Sequence, residues 1–240
     1  EHDTVLMLLS GGGSSLVELP VEGVALAEIQ DITQQLLFSK ADITEINTIR
    51  KKLSLVKGGK ISEHIKGVKI YAILLSDILG DNNEMIASGL TYADKTTAED
   101  AIQIVEKYRL KLNNNIDRVI RNSKPYLDVN IENHVVGSVK DLCYSAARHA
   151  KKLGYTPKIL TTTLSCEAKE AGKWIASLSK EERMRPFALI AGGETVVEVT
   201  GDGLGGRNQE IALSAAIELK GMKDVVLFSV GSDGTDGPTE

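Results

Sequence analysis

The sequence predicts an α/β protein made of two α/β domains with mainly parallel sheets. Short apolar runs, typical of strands buried in a parallel sheet, alternate with longer amphipathic stretches that are typical of crossover helices. The alternation is interrupted once, in the polar stretch 111–133, which contains three consecutive asparagines and Pro125. We therefore expect a domain boundary there, with residues 1–112 in a first, Rossmann-like domain and residues 113–240 in a second domain.

The first domain is predicted to contain two strands and three helices. Residues 5–9 and 68–75 are apolar runs of strand length, and the second run is expected to be buried. Asp42, with Glu45 three residues later, resembles a capping box and indicates the start of a helix. A further helix is expected near residues 98–110. The first helix is indicated by apolar residues at helical spacing: Leu26, Ile29, Ile32 and Leu36.

The second domain resumes the alternation of strands and helices. Its strands are predicted at residues 134–137, 158–163, 187–191, 195–199 and 224–230. Its helices are predicted at residues 141–153, 167–178 and 208–219. The last helix is apolar nearly all round, so we expect it to pack on the sheet.

Composition and charge exclude several functional classes. A net charge of −5 and a pI near 5.5 argue against a general nucleic-acid-binding surface. No apolar run reaches the roughly 18 residues that a membrane-spanning helix needs. Cys143 and Cys166 are too few for a disulfide framework, and the four histidines lack zinc-ligand spacing. We therefore expect a cytoplasmic, enzyme-like protein that binds neither nucleic acid nor membrane.

A glycine-rich segment follows the first predicted strand. Gly11, Gly12 and Gly13 allow backbone N–H groups to converge on an anion, and Ser10 and Ser14 add hydroxyl donors. Ligands of open α/β sheets bind at the carboxyl ends of strands, where this segment begins. It is not a Walker A motif, because no Gly-Lys-Ser/Thr follows. The segment predicts either a phosphate-binding loop or a glycine-rich turn without a ligand.

A basic segment covers the C-terminal turn of the second predicted helix and the residues that follow it. Cations near the C-terminus of a helix ordinarily offset its dipole, and this is the role we expect for Lys52 and Lys60. Arg50, together with Lys57 next to a flexible Gly-Gly pair, also suits a phosphate or a carboxylate, because a guanidinium can bind such groups with two parallel hydrogen bonds.

Aspartates follow two of the predicted strands. Asp77 and Asp81 come directly after the strand at 68–75, where two carboxylates suit Mg²⁺; the alternative is that Asp77 is a cap and Asp81 forms a turn. Asp233 and Asp236 follow the last predicted strand, where they suit a metal ion, substrate hydroxyls or ordinary Asp-Gly turns. Spacing alone leaves these alternatives open.

The densest candidate segment lies before the last predicted helix. Glu194 follows a Gly-Gly pair, and a glycine-rich run at 201–206 leads to Arg207 and Asn208 at the helix start. The N-terminus of a helix favours anions, so the positive charge of Arg207 opposes the local dipole. We therefore expect an anionic partner near Arg207 rather than a solvated cap.

Seven segments together resemble the glycerate 2-kinase family. In chain order they are S-G-G-G-S-S, I-N-T-I-R-K-K-L-S-L-V-K-G-G-K, L-L-S-D-I-L-G-D, I-A-S-G-L-T, G-G-E-T, G-G-R-N-Q-E and G-S-D-G-T-D-G-P-T. The C-terminal part of that family is the MOFRL domain, so the second domain is expected to be of this type. Leu90 stands where proline is expected and Cys166 where glycine is expected, and neither departure changes a proposed charge.

The resemblance implies a fold and an activity. The fold has two α/β domains with the active site in the cleft between them. The activity is transfer of the γ-phosphoryl group of ATP to the 2-hydroxyl of D-glycerate with Mg²⁺, which gives 2-phosphoglycerate and ADP. Because both ends of the chain adjoin predicted central strands, we expect a fragment whose second domain is incomplete at its C-terminus. The activity is therefore expected of a longer parent.

The residue patterns and the resemblance together give candidate roles. Catalysis is assigned to Arg207, Asp77 and Asp233. Mg²⁺ binding is assigned to Asp77, Asp81 and Asp233. Binding of phosphate or substrate is assigned to Ser10, Gly11, Gly12, Gly13, Ser14, Arg50, Lys57, Glu194 and Asn208.

Two other functions remain open from the sequence. One is a hydroxypyruvate reductase, which needs a nicotinamide site, although no G-x-G-x-x-G segment follows a strand with an acidic residue at the required distance. The other is a non-catalytic module that binds an anion or a nucleotide with the same segments. Phosphoryl transfer from ATP by the complete protein separates a kinase from both.

Overall fold

The computed structural model describes residues 3–10, 16–76, 86, 88–182, 186–201, 203–232, 234 and 236–238. The chain divides into two compact units, Glu1–Gly137 and Ser138–Glu240. Each unit contains parallel strands together with helices, so the predicted α/β class is confirmed. Among the helices so described, none combines the length and the apolar character that a membrane crossing requires.

The first unit alternates strands and helices. In chain order its elements are β1 (Thr4–Leu9), α1 (Leu26–Phe38), α2 (Ile43–Lys52), a short 3₁₀ helix (Lys60–His64), β2 (Lys69–Leu75), α3 (Ala98–Tyr108), α4 (Asn114–Arg121) and β3 (Ile131–Gly137). The strands form one parallel sheet in the order β1-β2-β3. Ser10 and Ser76 therefore follow neighbouring strands at the carboxyl edge, where ligands of open α/β sheets bind.

The helices of the first unit share one apolar core that includes α4. Ile116 and Ile120 of α4 lie in the same buried cluster as Ile29 of α1 and Ile49 of α2. Asn113 caps the start of this helix, because its side-chain oxygen accepts a hydrogen bond from the backbone N–H of Ile116 at 2.9 Å. The division of the chain falls after β3, and the boundary predicted after residue 112 differs from it, because the polar run supplies a helix cap rather than a linker.

A second apolar cluster fixes two loop segments on the sheet. Ala72 and Leu74 of β2 are fully buried in this cluster. Val17, which follows the glycine-rich segment, packs against it. Ile86 and Leu90, which follow the segment with Asp77 and Asp81 in the sequence, belong to it. The residues that follow the glycine-rich segment and those that follow the segment with Asp77 and Asp81 therefore both pack against β2.

The described residues of the second unit form two strands and three helices. Its elements are α5 (Val139–Lys152), β4 (Thr156–Leu164), α6 (Ala168–Glu181), β5 (Phe187–Gly193) and α7 (Arg207–Glu218). The strands β4 and β5 pair in parallel. Residues 195–199 and 224–230, predicted as strands, form no ladder in the described structure, where Val196 makes a single bridge to Glu167. Apolar alternation shows which side chains share a face, but not whether a neighbouring strand is present to pair.

The sequence predicts that α7 packs on the sheet, whereas in the structure its close contact is with α6. A Cβ added to Gly172 of α6 would lie 2.4 Å from the carbonyl oxygen of Ile211, so the two helices approach closely at this glycine. The hydroxyl of Ser214 also donates a hydrogen bond to a backbone oxygen of α6. Leu213 and Ile217, on other faces of α7, are 62% and 67% exposed.

Candidate functional site

Lys57 is a fully buried cation beside the sheet of the first unit. Its side chain is 0% exposed, and its ammonium group donates a hydrogen bond to the backbone oxygen of Val17 at 2.8 Å. The turn that carries it is set by the hydroxyl of Ser54, which accepts a hydrogen bond from the backbone N–H of Lys57 at 3.1 Å. Gly58 and Gly59 then adopt φ angles of 67° and 78°, which residues with a side chain rarely adopt.

Lys57 and Arg50 converge on one carboxylate oxygen. Oε2 of Glu18 lies 3.6 Å from the Lys57 ammonium and 3.9 Å from Nη2 of Arg50. These are ionic contacts rather than hydrogen bonds, and within the described part of the chain this buried oxygen accepts no hydrogen bond. The structure thus brings together two of the predicted anion-binding residues around a carboxylate that the sequence analysis did not select.

Burial changes the titration of both cations. Loss of solvation lowers the pKa of Lys57 to about 8, while the Glu18 carboxylate opposes the change and Arg50 adds to it. Burial also lowers the pKa of Arg50, again against the attraction of Glu18. A perturbed lysine next to a guanidinium is typical of sites that bind or transfer anionic groups.

Ser88 connects this cluster to the I-A-S-G-L-T segment. Its hydroxyl donates a hydrogen bond to the side-chain oxygen of Asn47 at 2.8 Å and lies 3.4 Å from Nη1 of Arg50. The φ angle of Ser88 is 56°, in the left-handed region that a serine seldom adopts. The strained backbone places a hydroxyl beside Arg50, which fits a role at a site rather than in a regular turn.

The neighbouring lysines have internal structural partners. The ammonium of Lys52 lies 2.8 Å from a carboxylate oxygen of Asp94 with both side chains buried, and it also donates to the backbone oxygen of Thr96. Lys60 donates to the backbone oxygen of Lys51, in the last turn of α2, at 2.6 Å and to that of Ser54 at 2.8 Å. These contacts stabilise the region of the turn that carries Lys57, in agreement with the structural role expected for Lys52 and Lys60.

In the second unit, Arg207 is the first residue of α7 and is held by residues that follow β5. Its Nη1 donates to Oε1 of Glu194 at 2.8 Å and to the backbone oxygen of Thr195 at 3.2 Å. The side chains of Arg207 and Glu194 are 42% and 53% exposed. The structure therefore brings together two more predicted site residues, and it shows that Glu194 is one anionic partner of Arg207.

The N-terminus of α7 is capped by Asp236. One carboxylate oxygen accepts hydrogen bonds from the backbone and side-chain nitrogens of Asn208, both at 2.8 Å, and the other accepts from the backbone N–H of Gln209 at 2.9 Å. Burial disfavours ionisation here, but the hydrogen bonds from Asn208 and Gln209 prevail and lower the pKa of Asp236. The anion expected at this helix start is thus supplied by the chain itself.

An open cavity of about 320 Å³ lies beside this helix start. Asn208, Gln209 and Asp236 line it, together with Ala212 and Ser229. The hydroxyl of Ser229 donates to the side-chain oxygen of Asn208 at 2.5 Å. Asn208, predicted to bind substrate, therefore lies in the wall of the cavity. Its side-chain nitrogen already donates to Asp236, and its side-chain oxygen already accepts from Ser229.

Several predicted site residues lie outside the described residues: Gly11, Gly12, Gly13, Ser14, Asp77, Asp81 and Asp233. Ser10 is described, directly follows β1 and is exposed. Within the described ranges no group of three or more His, Cys, Asp or Glu side chains is arranged to hold a metal ion.

Sequence reasoning missed two residues of these clusters. Glu18 stands between apolar residues in L-V-E-L-P, and no spacing signal marks it as the partner of cations more than thirty residues away. Asp236 was noted only for metal, hydroxyl or turn roles, because its contact with α7 joins residues 28 positions apart. The available signal was Gly206, which precedes α7 and has no side chain that could cap it. A cap from another part of the chain was therefore to be expected.

Comparison with known proteins gives the family. Residues 1–121 match the family described as a domain of unknown function, DUF4147, and residues 187–240 match the MOFRL family. The chain is 52% identical over 246 residues to the D-glycerate 2-kinase of Thermotoga maritima, with 100% of this chain and 59% of that protein covered. It is 43% identical to the glycerate 2-kinase of Pyrococcus horikoshii, with 100% of this chain and 58% of that protein covered.

A solved structure agrees with the sequence relatives. The crystal structure of a glycerate kinase from Thermotoga maritima has a TM-score of 0.91 and 53% identity, and the match covers 99% of this chain and 59% of that chain. The chain belongs to the glycerate 2-kinase family. It spans about 59% of the length of these relatives.

Proposed function

We propose that the intact protein transfers the γ-phosphoryl group of ATP to the 2-hydroxyl of D-glycerate, giving 2-phosphoglycerate and ADP. The observation that carries the proposal is the convergence of Lys57 and Arg50 on one buried carboxylate oxygen, beside chain that continues from the glycine-rich segment. Family membership supplies the reaction class. Because the chain spans only part of its relatives, the activity is proposed for the intact protein.

In the first unit, the proposed role of the cations is to bind an anionic group of a substrate. Phosphoryl transfer depends on positioning and on neutralising charge on the transferred group. Lys57 is held in place by the backbone oxygen of Val17, and Arg50 is placed beside Ser88. Ser10, Gly11, Gly12, Gly13 and Ser14 are proposed to add hydroxyl and backbone N–H donors at the carboxyl edge of the sheet.

In the second unit, Arg207 is proposed to bind the carboxylate of glycerate or the transferred phosphoryl group. Glu194 holds Nη1, so the guanidinium plane is oriented before the substrate arrives. A guanidinium has five N–H donors in a fixed plane, so it can retain this contact while it binds a second anion. Asn208 is proposed to face the same substrate from the cavity wall.

Mg²⁺ is the metal ion that the proposed reaction requires. The proposed ligands are Asp77, Asp81 and Asp233, and carboxylate oxygens are the donors that Mg²⁺ prefers. When bound, the ion neutralises charge on the phosphate oxygens of ATP. Asp77 or Asp233 is alternatively proposed to accept the proton of the attacking 2-hydroxyl.

The decisive experiment is an assay on the intact protein with D-glycerate, ATP and Mg²⁺, coupled so that 2-phosphoglycerate and 3-phosphoglycerate are distinguished. The expected result is stoichiometric formation of ADP and 2-phosphoglycerate. Oxidation of NADH or NADPH with hydroxypyruvate and without ATP consumption would favour the reductase. Binding of ATP or phosphate without turnover of either kind would favour a non-catalytic binding module.

We also predict the cellular location and the partners of the protein. The small number of cysteines favours the cytoplasm, and the net negative charge favours small-molecule partners over nucleic acid. Fractionation of cells, followed by detection of the protein, tests the location directly.

A further inference from the structure

The start of α7 is built from two chain segments that meet backbone to backbone. A Cβ added to Gly206 would lie 1.8 Å from the carbonyl oxygen of Asp236, and one added to Gly237 would lie 2.1 Å from the carbonyl oxygen of Gly205. Real Cβ contacts are never this short, so both positions require glycine. We call this contact between residues 205–209 and residues 236–237 the Asp236 latch.

Asn208, which belongs to the latch, joins the helix start to Ser229 and Asp236, on either side of residues 230–235. Asp236 binds the backbone N–H groups of Asn208 and Gln209, which are the second and third residues of α7. The side chain of Asn208 bridges Asp236 on one side and Ser229 on the other. Residues 229 and 236 bracket the segment that contains Asp233, so one asparagine ties both ends of it to the helix start.

The latch also affects Arg207. Since Arg207 is the first residue of α7, its Cα and the direction of its side chain are set by the same turn that Asp236 caps. The carboxylate takes up backbone donors that would otherwise attract an external anion to the helix N-terminus. It also supplies negative charge next to a cation that opposes the helix dipole.

We propose that Asp236 is a positioning residue, which fixes the start of α7 so that Arg207 presents its guanidinium to the substrate anion, while the helix amides are reserved for the internal carboxylate. The kinetic part of this inference rests on the proposed function. The Asp236 latch itself rests only on the contacts described above and is independent of the proposed function. Substrate therefore contacts the guanidinium of Arg207 and not the backbone N–H groups of Asn208 and Gln209.

The first experiment measures the latch without activity. In Asp236→Ala, amide hydrogen exchange at Asn208 and Gln209 is expected to become roughly fivefold to thirtyfold faster, because a capping bond is lost. Asp141→Ala is the matched control, since Asp141 accepts a hydrogen bond from Ser138 at the start of α5 in the same unit. It should leave exchange at Asn208 and Gln209 unchanged. Unchanged exchange in Asp236→Ala would overturn the latch.

The second experiment is a double-mutant cycle in the intact protein. Asp236→Ala is expected to lower kcat/KM for glycerate by roughly tenfold, and Asp236→Ala combined with Arg207→Ala to lose no more than Arg207→Ala alone, because Asp236 acts through Arg207. In the control cycle with Asp141→Ala, the effects should multiply. Multiplying effects for Asp236 would overturn positioning even if the latch is real.

A further variant keeps the cycle interpretable if Asp236→Ala folds poorly. Gly237→Ala retains the carboxylate but places a methyl group against Gly205, so it should reproduce both the faster exchange and the dependence on Arg207. Normal exchange in Gly237→Ala would contradict the latch. A wild-type protein without phosphoryl transfer would refute the proposed function and the positioning role, whereas the exchange result would still decide the latch.

Discussion

The two cationic sites of this protein differ in how their charges are solvated. In the first unit, Lys57 is fully buried and the side chain of Arg50 is only 15% exposed, and the carboxylate of Glu18 faces them at more than 3.5 Å. In the second unit, Arg207 is half-exposed and makes a direct 2.8 Å contact with Glu194. Burial lowers the pKa of Lys57 to about 8, so the environment disfavours its charged form. An anion that enters the first site therefore relieves an existing desolvation cost, whereas one at Arg207 competes with water and Glu194.

The difference indicates separate contributions to function. Electrostatic attraction is stronger where water is excluded, so the buried pair should control affinity and transition-state charge. An exposed guanidinium with a fixed plane should act mainly through orientation. The following predictions test this distinction.

The largest effect is expected for Lys57→Met in the intact protein. This variant keeps the length and burial of the side chain but removes the charge, so kcat/KM should fall by roughly 10³-fold or more. The free energy of unfolding should change by less than about 2 kcal/mol, because the hydrogen bond lost at the oxygen of Val17 is offset by the removal of a charge whose burial is unfavourable. Steady-state kinetics and denaturant unfolding measure the two quantities.

Lys66→Met is the control for Lys57→Met, because Lys66 is exposed and lies outside the cluster. Lys66→Met should leave kcat/KM close to the wild-type value and should change the free energy of unfolding by no more than about 0.5 kcal/mol. Turnover close to wild type in Lys57→Met would show that the buried cation is structural, and the comparison between the two sites would then lose its basis.

A smaller effect is expected for Arg207→Ala, with kcat/KM lowered by roughly 10²-fold, a barrier change near 3 kcal/mol. Arg207→Lys should restore little, because an ammonium lacks the planar fork. Stability should change by less than about 1 kcal/mol, because the contact with Glu194 is exposed. If Arg207→Ala unfolds the protein or retains near-normal turnover, the residue is structural.

The pH dependence should separate the sites further. Lys57 has a pKa of about 8 in the folded protein and an ordinary value of 10.5 when unfolded, so between these values the unfolded chain binds more protons. Stability should therefore rise by up to about 3 kcal/mol from pH 8 to pH 10.5, while affinity for the substrate anion falls as the ammonium loses its proton. Denaturant unfolding and KM measured across this range, with Lys57→Met as the reference, test both trends. If Lys57→Met shows the same pH dependence of stability and KM as the wild-type protein, a group other than Lys57 is responsible for it.

The smallest effect is expected for Glu194→Gln. The glutamine keeps an oxygen for the hydrogen bond with Arg207 but removes the charge, so the free energy of unfolding should fall by less than about 1 kcal/mol at low salt. Added salt should reduce this difference further, because exposed charges are screened. Urea unfolding at two salt concentrations measures it. A loss that persists in high salt would mean that the pair is shielded from solvent and resembles the buried site.

Local signals predicted much of the fold. Asp42 and Glu45 form the expected reciprocal capping contacts at the start of α2. The run at 68–75 forms β2 within one residue of its predicted start. Prediction failed where the outcome depends on a partner elsewhere in the chain. Residues 224–230 alternate like a strand but have no ladder among the described residues. The polar stretch 111–133 looks like a linker but contains the helix α4, because Ile116 and Ile120 reach the core.

The α/β class, the resemblance to the family and the order of the candidate segments can be read from the sequence, because they follow from periodicity and from short runs of neighbouring residues. The hydrogen bond from Lys57 to the backbone oxygen of Val17, 40 positions away, is seen only in the tertiary structure. The same holds for the position of Glu18, which faces both Lys57 and Arg50. Only the tertiary structure showed that Asp236 caps α7. These contacts arise when packing brings distant chain segments together, and whether a charge is buried, and so what it can bind, depends on that packing.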